Sequence, residues 1–292
     1  MNDYGGTVEK IHAELLDLLN GSGFPFQIGV RREIERTTPD HGWSVDAEEH
    51  HWHHPETGAS GFIDLIIRHH TLIFTIVIEC KRFKEDGKLL FLSPRDYTGE
   101  KRRISALCAN QKSRESKPYL GWCDFDFEPI SPEASYRAFR TQDEKNPLLE
   151  RIADTLLPAA EAVGFEEISL KSPGEFFPGD WRLFMPLIVT NATLFTGIFD
   201  ADQVSMTGGR LAEGTCEFKP VPFVRFRKSL ATHYPSGGIR YGHQSPLRKA
   251  SLAKERMVLV VHAPALADSL KLLTTAGKND GVFGQRLLSL NP

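Results

Sequence analysis

The chain reads as an α/β protein with a central mixed β-sheet flanked by helices. Three observations predict this. Two continuous apolar runs, Gly61-Phe62-Ile63-Asp64-Leu65-Ile66-Ile67 and Leu72-Ile73-Phe74-Thr75-Ile76-Val77-Ile78, have the composition of buried strands. Amphipathic helical stretches stand on either side of them, at 7–20 and 147–163. A further strand, Met257 to Val261, leads into a helix from about Ala265 that carries Leu266, Leu270 and Leu273. With 292 residues, 40% hydrophobic and 25% charged, the chain has ample material for a core.

Taken in order, Thr7 caps a first helix whose Val8, Ile11, Leu15, Leu18 and Leu19 form one stripe before Asn20-Gly21 ends it. Glu14 borders that stripe. Phe26 to Ile34 alternates as a half-exposed strand. A polar stretch, His41 to Ser60, separates it from the Asp64 run, so the expected order is helix, strand, strand, strand. Residues 82–146 are basic at first and then rich in prolines and aromatics, a loop-rich insertion with short elements. Pro147 opens the next helix, with Leu148, Leu149, Ile152, Leu156 and Ala159 at helical spacing and Pro158 as a bend.

Leu183 to Phe199 reads as a strand broken by the polar pair Thr190-Asn191, a bulge or an edge. A hairpin-like stretch with Gly208-Gly209 leads to a strand from Val221 to Lys228, and a Gly- and Ser-rich loop spans Ser236 to Ser245. No long linker or internal repeat interrupts the pattern. One continuous domain over 1–292 is expected, with core motif 7–81, insertion 82–146, and helix and strands 147–292.

The bulk numbers exclude several classes. A net charge of −3 rules out a uniformly basic nucleic-acid coat, so any phosphate-binding surface must be local. Cys80, Cys108, Cys123 and Cys216 form no Cys-x-x-Cys pair, which argues against a zinc ribbon and fits a reducing cytosol. The N-terminus lacks the pattern of a signal peptide, and no apolar run approaches the roughly 20 residues of a membrane span. The expectation is a cytoplasmic protein with no membrane partner.

The chemistry lies in three charges on the two buried runs: Asp64, then Glu79 and Lys81 in Glu79-Cys80-Lys81. A buried strand does not carry charge unless something offsets its desolvation. Alternation projects Glu79 and Lys81 from one face, and a hairpin would bring Asp64 to them. Two acids beside a lysine make a site for a divalent metal and a polarised water, as phosphodiester hydrolysis requires. A lysine so placed stays protonated, and acts as general base only when a metal has taken the acids' charge.

Ile63-Asp64, fourteen intervening residues, then Glu79-Cys80-Lys81, in the order helix, strands, helix, strand, resembles the PD-(D/E)xK nuclease superfamily. The usual proline before the first acid is replaced by Ile63. The resemblance covers mainly residues 7–81, extending loosely to the helix near 150 and the strand near 188. It implies a restriction endonuclease-like core with an insertion and a C-terminal extension. By it, Asp64 and Glu79 would ligate Mg²⁺ or Mn²⁺, Lys81 would serve the attacking water, and Glu14 would match a first-helix acid beside the metal. The implied activity is metal-dependent hydrolysis of nucleic acid, DNA ahead of RNA, in a restriction-like or phage-defence setting. A homodimer, frequent in that superfamily, or a regulatory protein partner goes with it. The alternative is an inactive nuclease-like scaffold that binds nucleic acid or a protein; the intact triplet separates the two.

Phosphate contacts are expected from Arg82, Lys84 and Lys88, interleaved with Phe83 and Phe91, and from Arg225, Arg227 and Lys228 around Phe226. Gln111 is a further pocket candidate. Glu48-Glu49-His50-His51-Trp52-His53-His54 has the composition of a metal cluster but no His-Glu-x-x-His frame, and reads as a solvated hairpin with His51 and His53 on one face. His69-His70 reads as the turn between the two active-site strands.

Overall fold

Distant parts of the chain meet at one strand, Trp181–Thr190. A computed structural model describes residues 4–70, 74–83, 87–94, 100–110, 119–138, 148–170, 181–234 and 245–276. In order they form α1 (Tyr4–Ser22), α2 (Phe24–His41), β1 (Trp43–His53), β2 (Ser60–His69), β3 (Phe74–Lys81), β4 (Lys88–Pro94), β5 (Glu100–Asn110), β6 (Tyr119–Ala134) and β7 (Tyr136–Ala138). There follow α3 (Leu148–Leu170), β8 (Trp181–Thr190), β9 (Thr193–Phe199), β10 (Val204–Ser205), β11 (Arg210–Leu211), β12 (Cys216–Val221) and β13 (Phe223–Ser229). The last elements are α4 (Pro246–Lys254), β14 (Glu255–His262) and α5 (Leu266–Ala276).

The main sheet is mixed, with eight strands in the order β1-β2-β3-β8-β14-β13-β6-β5. A smaller sheet runs β12-β9-β4-β7, and β10 and β11 form a hairpin of their own. On one edge β8 pairs in parallel with β3, from Phe74–Leu183 to Lys81–Thr190. Its other edge is shared: Trp181–Phe184 pair with β5, and Leu187–Thr190 with β14. Pro186, with no N–H to donate, lies where the partner changes. Pairing of β14 with β13, β13 with β6 and β6 with β5 then closes the far half of the sheet into a ring.

Strand alternation supplies two cores. Val77, Ile188 and Val260 face α3 with its Leu156, Leu157 and Ala160. Ile76, Ile78, Leu187, Val189 and Leu259 face the other way, towards Val30 and Ile34 of α2 and Leu266 and Leu270 of α5. Each such side chain contributes about 1.5–3 kcal/mol by burial. Helix α3 approaches the sheet closely at Gly164, where a Cβ would stand 2.7 Å from Leu107 Cδ2.

Several sequence expectations change. Phe26 to Ile34 is helical, not a strand: α2 buries Gln27, Val30, Ile34, Thr37 and His41 at helical spacing and exposes Ile28. Pro25 stands in its first turn, and Gly42 in the left-handed region caps its end. The missing strand is β1, inside the stretch read as merely polar. It is the edge strand, so only its inner side is apolar. The insertion, expected to be loop-rich with short elements, holds β4 to β7 and includes the long strands β5 and β6; in β6 Phe125 and Phe127 are buried in alternation with Asp124 and Asp126. Leu183 to Phe199 is two strands in different sheets. The stripe on α1 does not enter the core: Ile11, Leu15, Leu18 and Leu19 are exposed. Helix α4 was not expected; the Ser236–Ser245 loop lies almost wholly outside the described residues; and of the pair read as a turn, His69 is buried in β2 opposite Trp43, with only His70 in a turn.

Candidate active site

The β2–β3 ladder runs from Arg68–Thr75 to Leu65–Ile78 and stops there. β3 continues alone beside β8 through Glu79, Cys80 and Lys81. Where the strands part, Asp64 turns its carboxylate into the gap, and its Oδ2 accepts the Cys80 N–H at 2.6 Å. Asp64, Glu79 and Lys81 are all partly buried. Strand parity puts Glu79 and Lys81 on the side of Val77.

A third acid joins from β1. Glu49 sits between the pairs Glu48–Leu65 and His50–Ile63, across from Asp64. Its φ of 48° lies in the left-handed region, a conformation that costs a non-glycine residue about 1–3 kcal/mol. Gln27 of α2 donates through Nε2 to Glu49 Oε1 at 2.5 Å and to the Asp64 carbonyl at 3.2 Å, tying helix, edge strand and β2 together. Sequence reasoning assigned this place to Glu14. Glu14 is exposed on α1, and the additional acid felt by Asp64 and Glu79 is Glu49. Neither the odd dihedral nor the helical setting of Gln27 is visible in a strand-like reading of residues 26–34.

Burial, with Glu49 nearby, pushes the Asp64 carboxyl up to about 6 despite the Cys80 N–H and the Lys81 ammonium. Burial and repulsion from Asp64 push Glu79 from 4.5 to about 8. The two titrate as a pair. A raised carboxyl stabilises the fold below its unfolded value, and that contribution is lost as pH rises through the folded value. Metal-free protein is therefore expected to lose stability between pH 5 and 8.5 relative to Glu79→Gln, by on the order of 2 kcal/mol. Urea unfolding at both pH values measures it; identical pH dependence of variant and wild type would remove the argument.

Asn191, in the turn after β8, holds the chain just beyond Lys81. Its Oδ1 accepts the Phe83 N–H at 2.6 Å and its Nδ2 donates to the Phe83 carbonyl at 2.9 Å. The polar interruption of an apolar strand is thus a backbone clamp. Asn191→Ala is expected to cost about 1–3 kcal/mol in urea unfolding by removing both bonds. An unchanged midpoint would show that the clamp holds nothing.

The remaining candidates divide. Arg82 is half-buried and Lys88 exposed, and neither makes an ion pair with a described residue. Lys84 and Gln111 lie outside the described residues. Arg225 is not a surface contact: it is fully buried, its guanidinium donating to the Arg103 and Phe127 carbonyls and to Ser131 Oγ. Arg227 pairs with Glu133 and Glu255, and Lys228 with Glu150. These last two line a cavity of about 390 Å³ with Ser135, Tyr136 and Arg248. A second, of about 340 Å³, lies between His50, Arg68 and Glu166. Neither is lined by Asp64, Glu79 or Lys81.

The histidine run is dispersed. His51 and His53 are exposed on one side, as alternation predicts. His50 pairs with Glu166 at 2.9 Å, so the hairpin is not simply solvated. His54 is fully buried against Glu161, whose carboxylate also accepts from Trp122 Nε1 and from the backbone N–H of His233 and Tyr234.

Among the described residues, no group of three or more His, Cys, Asp and Glu side chains is disposed to hold a metal by itself. A cation at the triplet would therefore rest on two carboxylates and waters, the habit of Mg²⁺. The residues fit such an ion in one respect: no described group hydrogen-bonds or pairs with the Glu79 carboxylate, which is crowded by like charge. No helix among the described residues is long and apolar enough to cross a membrane. Comparison with protein-family models, curated proteins and solved structures gives no match to this chain.

Proposed function

We propose that this chain is a metal-dependent nuclease that hydrolyses DNA phosphodiester bonds, with a PD-(D/E)xK-like arrangement of Asp64, Glu79 and Lys81. The observation that carries the reading is the parting of β2 and β3 at Asp64 and Glu79. That local break puts two partly buried, mutually repelling carboxylates beside one lysine. The setting supports it further: an antiparallel β1-β2-β3 meander, a helix, and a strand parallel to β3 follow the order of that superfamily's core.

Asp64 and Glu79 would hold Mg²⁺ or Mn²⁺. When bound, the ion supplies charge neutralisation at the phosphate and a more acidic water. The chain's own residues do the rest. The Cys80 N–H fixes the Asp64 carboxylate, leaving its other oxygen for the cation. Lys81, aimed by the Phe83–Asn191 clamp two residues on, orients the attacking water and balances negative charge. Glu49, held by Gln27, adds negative charge that raises the demand for a cation. Arg82 and Lys88 would contact the phosphate backbone beside the site.

Supercoiled plasmid and single-stranded DNA and RNA, incubated with purified protein and Mg²⁺, Mn²⁺ or EDTA, test the reading. Metal-dependent DNA cutting is expected; inertness with every metal and substrate would overturn it. A defence setting is an extension of the same reading, tested by phage plating on expressing cells.

A further inference from the structure

We propose that the cavity between the two sheets, at the carboxyl end of β13, binds a nucleoside monophosphate. Its origin is a change of partner. β6 runs parallel to β13 through Arg225–Glu133 and Phe226–Ala134, and their pairing stops there. Two residues later the same chain, now β7, pairs with β4 of the smaller sheet at Tyr136–Leu92. Parallel neighbours that part at their carboxyl ends leave a crevice, the place where α/β sheets commonly take a ligand. This one encloses about 390 Å³, a volume that suits one molecule of nucleotide size.

The lining says what that molecule carries. Arg227, Lys228 and Arg248 line the cavity together with Glu133 and Glu255, three cations less two carboxylates, or a net +1. A polynucleotide brings a negative charge with every residue and would be repelled by the two acids, so the cavity suits one phosphate on an otherwise neutral body. Two of the cations are loosely held. Arg248 Nη1 stands 3.9 Å from Glu255 and Lys228 Nζ 3.4 Å from Glu150, beyond the roughly 2.7–2.9 Å of a closed charge-assisted bond. A phosphate can engage both without displacing a short bond. Arg227 is fixed in place by Ser135 Oγ at 2.9 Å and Glu133 at 3.1 Å. Tyr136 is 61% exposed, and its ring centre lies 5.8 Å from Lys228 Nζ. A planar base stacked on the exposed side of that ring would carry its phosphate towards the cations. Glu133 and Glu255 are acceptors for the hydrogen bonds that ribose hydroxyls and base amino groups donate. On this assignment Arg227 and Lys228 serve a small ligand and not a DNA backbone.

Isothermal titration of the full chain with AMP, GMP, CMP and UMP, in EDTA to keep metal from the triplet, tests the assignment. At least one should bind with a Kd on the order of 0.1 mM or below, and inorganic phosphate at least roughly tenfold more weakly. Arg248→Ala and Tyr136→Ala alter exposed side chains, so circular dichroism should not change while affinity falls roughly 10-fold and 5-fold. Asp64→Asn should bind as wild type does, which leaves the inference standing whether or not the chain cuts DNA. No binding tighter than about 1 mM by any of the four, equal affinity for inorganic phosphate, wild-type affinity in either cavity variant, or loss of binding in Asp64→Asn would each overturn the proposal. So would a single-stranded oligonucleotide of about 10 residues that binds more tightly than any mononucleotide and loses affinity in the same variants.

Discussion

Asp64→Asn is expected to abolish metal-dependent DNA cleavage, by on the order of a thousandfold or more, without loss of folding stability. The asparagine keeps a side-chain oxygen for the Cys80 N–H, so the gap between β2 and β3 stays bridged. It removes a carboxyl that burial already holds near about 6, so the variant should match or exceed wild type in urea at pH 8. Loss of activity with retained stability is the signature of a residue that serves chemistry. Lys81→Ala should fall as far in single-turnover plasmid nicking. Cutting by Asp64→Asn within tenfold of wild type would end the catalytic assignment, as would wild-type cutting that persists in EDTA.

Arg225→Ala is expected to destabilise the protein by about 3–5 kcal/mol, more than the loss of the Asn191 clamp. The reason is a break in the β5–β6 ladder, where Lys101 pairs with Ser131 but Arg103 already pairs with Asp126. The intervening segment of β6 leaves the ladder, and the Arg225 guanidinium fills the resulting gap with bonds of 2.6–2.9 Å. Burial pulls this group down to about 10, yet it remains charged at neutral pH, with Glu128, Glu133 and Asp126 opposing the shift. Removing it takes away these three bonds and opens a cavity at the closure of the ring. Urea unfolding reads the cost. A loss below about 1 kcal/mol would show that the gap relaxes or fills with water.

What could be read from residue types, and what could not, follows from this geometry. The strands bearing Asp64 and Glu79 announce themselves because their central stretches, Ile63 to Ile67 and Ile76 to Ile78, are apolar on both faces with Asp64 the one exception. The edge strand β1 has one poorly covered side and loses that signal. In α2 the short alternation Phe26, Ile28, Val30 imitates a strand, although the buried set is spaced at three and four residues. Arg225 looks like its neighbours Arg227 and Lys228 in a basic run, and only the ladder break, a long-range property, makes it internal. The amphipathic pattern of α1 was legible; that its apolar face stays outside depends on what the rest of the chain leaves uncovered. The Asp64, Glu79 and Lys81 triplet was legible because charge on a greasy strand is a local anomaly. Glu49 was not, since its place depends on β1 register and a left-handed backbone.

The shared edge of β8 bears on how the polypeptide reaches this state. Phe74 must find Leu183, and Leu187 must find Leu259, each a loop closure spanning many tens of residues before any contact repays it. Parallel pairings of this kind are slow, because no hairpin can template them. During synthesis the β1-β2-β3 meander can form early from local contacts, but β3 gains its second neighbour only after Thr190 is made. β8 in turn keeps half of one edge open until His262. The strand that carries Glu79 and Lys81 is therefore completed late, and an arrested nascent chain would expose its apolar edge, which a chaperone would have to shield.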